Sequence, residues 1–266
     1  MSFSLAKKVQ RYIGLLREVR NWPSYLLFKA RSSQDEDDFT FKFRNTSRLL
    51  VARRMLPPFK EVFFDQVYLQ GIPQEFFQKE DLTIIDIGAN VGFFSLFMLF
   101  RHPKARVYAF EPMPYNFNKL AQYKEETKLD KLFPINKAVA GTAEKLSLNY
   151  AGNGSFTTMA SIFSNQRKDQ ILEVDATTLH QIAEEQQLSS IDFIKLDCEG
   201  AEYTILYNTP PSLFKKIKAM GIETHPGQDA RENADALAVF LQEQGYQIKI
   251  KKGRRTGYIW AWRARE

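Results

Sequence analysis

The stretch from Leu82 to Pro112 constrains the fold more than any other part of the chain. Leu82 to Ile87 is a short apolar run rich in isoleucine, the pattern of a buried strand. It enters Gly88-Ala89-Asn90-Val91-Gly92, and the apolar block that follows predicts a helix to Arg101. Ala105 to Phe110 is a second strand, ending at Glu111-Pro112. A strand, a glycine turn, a helix and another strand make a parallel unit whose sheet must be covered on both faces. Glycines let the chain bend sharply and let a ligand approach the backbone closely. The helix start after the turn offers free N–H groups and partial positive charge. Asp86 stands where it can organise this turn.

Glu111 lies 23 residues after Gly88, the separation of one helix and one strand. An acid at the end of the second strand accepts hydrogen bonds from two ribose hydroxyls and repels a phosphorylated ribose. A dinucleotide turn needs a glycine between its outer pair. Asn90 occupies that place here, and its side chain crowds a pyrophosphate. No lysine-bearing phosphate loop is present. An adenosine ligand without phosphates fits best, with S-adenosylmethionine as the expected cofactor.

Beyond Glu111 the alternation continues. Helices are expected over 114–127, 177–187 (with Asp175 as N-cap), 201–207 and 229–244, and strands over 132–139, 191–196 and 217–223. A hairpin around Gly253 pairs 247–252 with 256–262. This predicts an α/β fold with a mostly parallel seven-stranded sheet closed by a C-terminal antiparallel hairpin. Residues 151–165 form a long polar loop, expected to cover the cofactor or shape the acceptor pocket. Before the main sheet, Phe39, Phe41 and Phe43 alternate with polar residues and predict a β-hairpin over 39–56. Residues 59–77 are expected to be helix and connection. The expected division is 1–38 (amphipathic helix and linker), 39–80 (hairpin and lead-in) and 81–266 (cofactor-binding domain).

Charge separates the first segment from the rest. The 266 residues carry a net charge of +6. Residues 1–31 hold seven Lys or Arg and one acid, and the remaining residues balance. A neutral body argues against a nucleic-acid substrate, whose enzymes usually line the cleft with basic residues. Within 4–20, Leu5, Val9, Tyr12, Ile13, Leu16 and Val19 recur at helical spacing, and Trp22-Pro23 is expected to end the helix. Two readings stay open: a helix docked on the domain, or a helix lying on a membrane surface or partner. Lys249, Lys251, Lys252, Arg254 and Arg255 read as a solvated hairpin tip. No run reaches the ~18 apolar residues of a membrane span, and no signal-peptide pattern is seen. The single cysteine, Cys198, excludes an internal disulfide, and no Cys/His spacing resembles a metal site. A cytoplasmic protein, either free or associated with a membrane, is the expectation.

Two further clusters carry chemistry. In Ile191 to Gly200, Lys195, Asp197 and Glu199 alternate with apolar residues. Charges on a central strand make sense where its carboxyl end opens onto a cleft. A local Lys–Asp ion pair is the alternative. Glu223-Thr224-His225 ends the next strand and is expected to face Asp197 and Glu199.

The stretches Ile85–Gly92, Phe110–Pro114, Asn136–Gly141, Val174–Leu179, Ile191–Leu206 and Ile222–His225 together resemble the FkbM family of S-adenosylmethionine-dependent methyltransferases. The resemblance covers about residues 84–250. It implies the class I methyltransferase (Rossmann-like) fold and O-methylation of a sugar, glycan, glycolipid or secondary metabolite. It matches Asp86, Gly88, Asn90 and Glu111 to cofactor positions and Asp197, Glu199, Glu223 and His225 to the polar cleft; Ala89, Gly92, Pro112 and Ala138 are expected to complete the cofactor site, and Lys195 the catalytic cluster. The base is expected to be His225, Asp197 or Glu199. An NAD-dependent oxidoreductase and a non-catalytic binding protein on the same fold remain the alternatives at this point.

Overall fold

The structure, a computed structural model, describes residues 5–31, 37–150, 170–227, 229–253 and 256–264. The elements are α1 (Leu5–Glu18), α2 (Trp22–Ala30), β1 (Asp38–Lys42), β2 (Arg48–Ala52), a 3-10 turn (Arg53–Met55), α3 (Leu56–Phe63) and a second 3-10 turn (Gln74–Phe77). The main unit follows with β3 (Thr83–Ile87), α4 (Phe93–Arg101), β4 (Arg106–Phe110), α5 (Pro114–Thr127), β5 (Leu132–Ile135), β6 (Ala138–Val139), β7 (Leu146–Tyr150), β8 (Gln170–Val174) and β9 (Ala176–Thr177). It closes with α6 (Leu179–Glu185), β10 (Phe193–Leu196), α7 (Glu202–Tyr207), α8 (Pro211–Phe214), β11 (Ala219–Thr224), α9 (Ala234–Glu243), β12 (Gln247–Lys252) and β13 (Gly257–Trp262).

Seven strands form the central sheet in the order β12-β13-β11-β10-β3-β4-β5. The pairs β11–β10, β10–β3, β3–β4 and β4–β5 are parallel. β13 runs antiparallel to both β11 and β12. This is the mostly parallel seven-stranded sheet, closed by a C-terminal antiparallel hairpin, that the sequence predicts. Its central strands are apolar on both sides because helices cover both faces. On one face Ile84, Phe94, Phe193 and Trp260 pack with Leu15, Phe59, Phe97 and Leu120 from α1, α3, α4 and α5. On the other, Ile85, Ile194, Leu196 and Ile222 meet Ile182, Leu206 and Leu237 from α6, α7 and α9.

Much of the chain's phenylalanine lies between the N-terminal elements and α4. The Phe41 ring stacks on Phe59 at 4.3 Å, Phe59 on Phe63 at 4.5 Å, and Phe63 meets Phe97 edge-on at 5.4 Å. Such pairs add to the area they bury. The hairpin β1–β2 is thereby fixed to α4. The segment after α3 is laid across the sheet: the Trp260 indole donates to the Val67 carbonyl at 2.9 Å. Gly221 in β11 admits this crossing, since a Cβ there would stand 2.3 Å from the Tyr68 carbonyl oxygen.

Several expectations need correction. α1 ends before Trp22-Pro23 as expected, but the same pair also opens an unforeseen helix, α2, with Pro23 in the first turn, where no N–H is needed. The strand expected over 132–139 is two pieces, because after Ile135 the chain leaves the sheet and Ala138–Val139 pairs with Ala176–Thr177. Asp175 does not cap α6. Thr178 does, in a capping box with Gln181. The last helix begins later than expected, capped by Asn233. The loop expected over 151–165 lies outside the described residues.

Of the apolar spacing, Val19, just past the end of α1, is buried, but α1 itself packs through another side. Gly14 and Leu15 are buried, and a Cβ on Gly14 would lie 2.2 Å from the Phe64 carbonyl oxygen. Arg11 pairs with the buried Asp65, its Nε 2.9 Å from Oδ1. Val9, Tyr12, Ile13 and Leu16 point to solvent, 43 to 59% exposed. Substituting Gly14→Leu therefore forces backbone apart. We expect a loss of about 1–3 kcal/mol in urea unfolding, an overpacking effect. Trypsin should then cut within α1 faster than in the parent; an unchanged midpoint and cleavage rate would contradict this docking.

Candidate functional site

The carboxyl ends of β3, β4 and β10 open onto one cleft. β3 ends at Ile87, and Gly88 turns away with φ +69°. A side chain at Gly88 is impossible here: its Cβ would stand 1.8 Å from the Asp197 carbonyl oxygen. Asn90 adopts the left-handed region at φ +52°, which Asn tolerates better than most residues. The Ala89 N–H donates to the Phe110 carbonyl at 2.9 Å, tying the turn to β4.

Glu111 closes the other side of the turn. Its Oε2 accepts from the Asn90 N–H at 2.7 Å and its Oε1 from the Met113 N–H at 3.0 Å. Asn136 donates to the Glu111 and Pro112 carbonyls at 2.8 and 3.0 Å, fixing the chain around the acid. Burial raises the Glu111 pKa to about 7, although the two backbone N–H groups favour its ionised form. Gly88, Asn90, Glu111 and Pro112 line the cleft with Asp197 and Glu199 opposite. Met113, Ala138, Val139 and Leu148 supply apolar wall. The Asn90 Oδ1 is buried and, among the described residues, has no hydrogen-bond partner, which leaves an unsatisfied acceptor beside the cleft.

Asp86, Ala89, Gly92 and Lys195 do not line the cleft; they hold it from behind. Lys195, 3% exposed, donates to the Gly88 carbonyl at 2.5 Å and the Ile87 carbonyl at 3.2 Å. It also lies 3.3 Å from Asp86 and 3.8 Å from Asp197. Burial opposes its charge, but Asp86 and Asp197 outweigh burial and its pKa is raised. Asp86 further accepts from Ser95 Oγ at 2.7 Å, which joins the turn to α4. Gly92 starts α4 with φ +88°.

Glu223 and His225 stand beside Asp197 and Glu199, forming an acidic annex to the cleft. The Tyr68 hydroxyl lies 2.6 Å from Asp197 Oδ2 and 3.3 Å from Glu223 Oε2. Tyr258 Oη lies 3.2 Å from the same Glu223 oxygen. Burial raises the Glu223 pKa to about 7, helped by the Asp197 charge and opposed by His225. His225 behaves in the opposite way. Burial works against its charged form, yet the hydrogen bond and charge of Glu202, with Asp197 and Glu199, raise its pKa to about 9. Its Nδ1 is 3.2 Å from Glu202 Oε1 and its Nε2 3.6 Å from Glu199 Oε2.

Tyr68, Glu202 and Tyr258 escaped the sequence reading. Glu202, fully buried, accepts from the Gly200 and His225 N–H groups at 2.9 and 2.6 Å. An acid in the first turn of a helix next to two other acids was its one local signal. For Tyr68 the signal was remote: a lone glycine within a strand, Gly221, marks a close backbone approach without saying whose. A larger hollow, about 1060 Å3, opens between α1, residues 64–78 and β12. It lies by the carboxyl end of α4, away from the strand ends that bear the acids, so the smaller cleft is the candidate site.

The Methyltransferase FkbM domain model matches residues 86–248. The AMB antimetabolite synthetase AmbE of Pseudomonas aeruginosa is 27% identical over 231 residues, 73% of this chain, which spans only 11% of that protein's length. The 31-O-demethyl-FK506 methyltransferase FkbM of Streptomyces tacrolimicus is 25% identical over 217 residues, covering 71% of this chain and 81% of its own. Among solved structures, the METTL16 MTase domain aligns over 73% of this chain and 65% of that one with a TM-score of 0.46 and 16% identity. With the family model spanning more than half of its length, the chain belongs to the FkbM methyltransferase family.

Proposed function

We propose that this chain transfers the methyl group of S-adenosylmethionine to a hydroxyl of a small natural product or sugar. The observation that carries this reading is the Glu111 carboxylate, aimed into a cleft whose turn carries Asn90 in place of a glycine. The 31-O-demethyl compound in the name of the Streptomyces relative supports a hydroxyl acceptor.

The residues present suit this cofactor. The backbone N–H groups of Asn90 and Met113 and the Asn116 side chain take up three of the lone pairs of the Glu111 carboxylate, and the remaining one is left for the ribose hydroxyls. Asn90, which lines the cleft, would present its side-chain amide to the amino-acid portion. Met113, Ala138, Val139 and Leu148 form an apolar slot for a flat base. When bound, S-adenosylmethionine supplies a methyl group already activated by its sulfonium.

What the protein adds is position and proton transfer. Glu223 is the base in this reading. A base works best with a pKa near the working pH, and burial puts Glu223 at about 7. It would take up the proton that the acceptor hydroxyl gives up. Tyr68 and Tyr258 hold its carboxylate in place. His225 does not serve as the base. With its pKa raised to about 9 it is cationic at neutral pH and steadies the surrounding carboxylates.

Three outcomes test this. Glu111→Ala should weaken binding of S-adenosylhomocysteine by about ten- to a hundredfold, the worth of hydrogen bonds to a charged group; calorimetry reads it. Since the ionised acid is the acceptor, affinity of the parent should hold above pH about 7 and fall about tenfold per pH unit below it. Glu223→Gln should lower kcat by about 10²–10⁴ with cofactor affinity unchanged. His225→Gln removes the charge that lowers the Glu223 pKa. Its acid limb should therefore move to higher pH while the plateau rate survives. Loss of the rate at every pH would make His225 the base and Glu223 a bystander.

A further inference from the structure

α1 is held to the protein by one side and exposes an apolar ridge on the other. Gly14, Leu15 and the Arg11–Asp65 pair fix the inner side, so the outer side is not waiting for this chain's own core. On the outer side Val9, Tyr12, Ile13 and Leu16 are 50, 45, 59 and 43% exposed. At 100° per residue they share one arc, with Lys8 on one flank and Arg17 on the other.

Each flank borders a basic hollow. On the Lys8 side a hollow of about 270 Å3 is walled by Lys8, Arg11, Lys29 and Lys60 with Tyr12 and Tyr25. On the Arg17 side the larger hollow receives Arg17, Arg101, Lys249 and Lys251. Asp65 answers Arg11, and Glu18 lies 3.4 Å from Arg101. Among the described residues no ion pair forms at Lys8, Lys29, Lys60, Lys249 or Lys251. Burial, followed by the charges of Arg11 and Lys29, lowers the Lys60 pKa, with Asp65 and Glu61 opposing.

We infer that this face docks on an anionic lipid surface, the α1 ridge entering the interface and the two basic hollows receiving headgroup phosphates. An apolar arc bounded by long cationic side chains is the arrangement that lies in the plane of a membrane interface. A second copy of the chain fits less well, since two such faces would bring like charges together. No described helix is long and apolar enough to cross a membrane, so the contact is peripheral. The inference is independent of the proposed methyl transfer.

Flotation of the full chain with vesicles of phosphatidylcholine, with and without phosphatidylserine, tests it. The chain should float with the phosphatidylserine vesicles and be released by raised salt. The exposed triple variant Val9→Ser, Ile13→Ser, Leu16→Ser should lose this binding. The pair Lys8→Glu, Lys29→Glu should lower the partition coefficient about fivefold or more per lysine. Both variants should melt and bind S-adenosylhomocysteine as the parent does. No flotation of the parent, equal flotation with both vesicle types, or unchanged binding by both variants would overturn the inference. So would a parent that sediments as a dimer and a serine variant that is monomeric, neither binding vesicles.

Discussion

A single ammonium group sits where the two halves of the site meet. Lys195 reaches from β10 to the carbonyls that end β3 and lies between Asp86 and Asp197. A buried lysine is costly unless its donors are taken up, and removing one partner of such a pair leaves an unmatched charge. Here two carbonyls and two carboxylates take it up. The turn from Gly88 to Gly92 is thereby locked against the strand that bears Asp197. Every other feature of the cleft is placed relative to that joint.

From the joint, the carboxylates divide by environment. Glu111 and Glu223 are both pushed up to about 7 by burial, yet their neighbours differ. Glu111 faces backbone N–H groups, which hold it as an acceptor for hydroxyls. Glu223 faces two phenols and another acid, and an imidazolium next door. Identical side chains thus suit different tasks, one recognition and one proton transfer. Glu202 contributes most to holding His225 charged against burial, with Asp197 and Glu199 adding to it.

The sheet was legible because its signals are local. Leu82 to Ile87 and Ile191 to Leu196 are apolar runs bounded by turn residues, and their order needs only the right-handed crossover of parallel units. Glu111 was legible from its distance to Gly88. What escaped depends on contacts between distant segments. Tyr68 reaches Asp197 across 129 positions of sequence, and no local pattern records that. The capping residue of α6 was misread because Asp175 and Thr178 both suit a helix start, and only the Gln181 partner decides between them. α1 shows the limit of periodicity: spacing identified an apolar face, but tertiary packing chose the side with Gly14 because only a glycine admits the Phe64 carbonyl.

The cleft bounded by Glu111, Asn90 and Asp197 is the centre of this account. A crystal structure with S-adenosylhomocysteine tests it most directly. The account predicts both ribose hydroxyls on the Glu111 carboxylate, with the amino-acid portion at Asn90. Nucleoside density in the larger hollow beside α1, or a ribose that leaves Glu111 untouched, would contradict it.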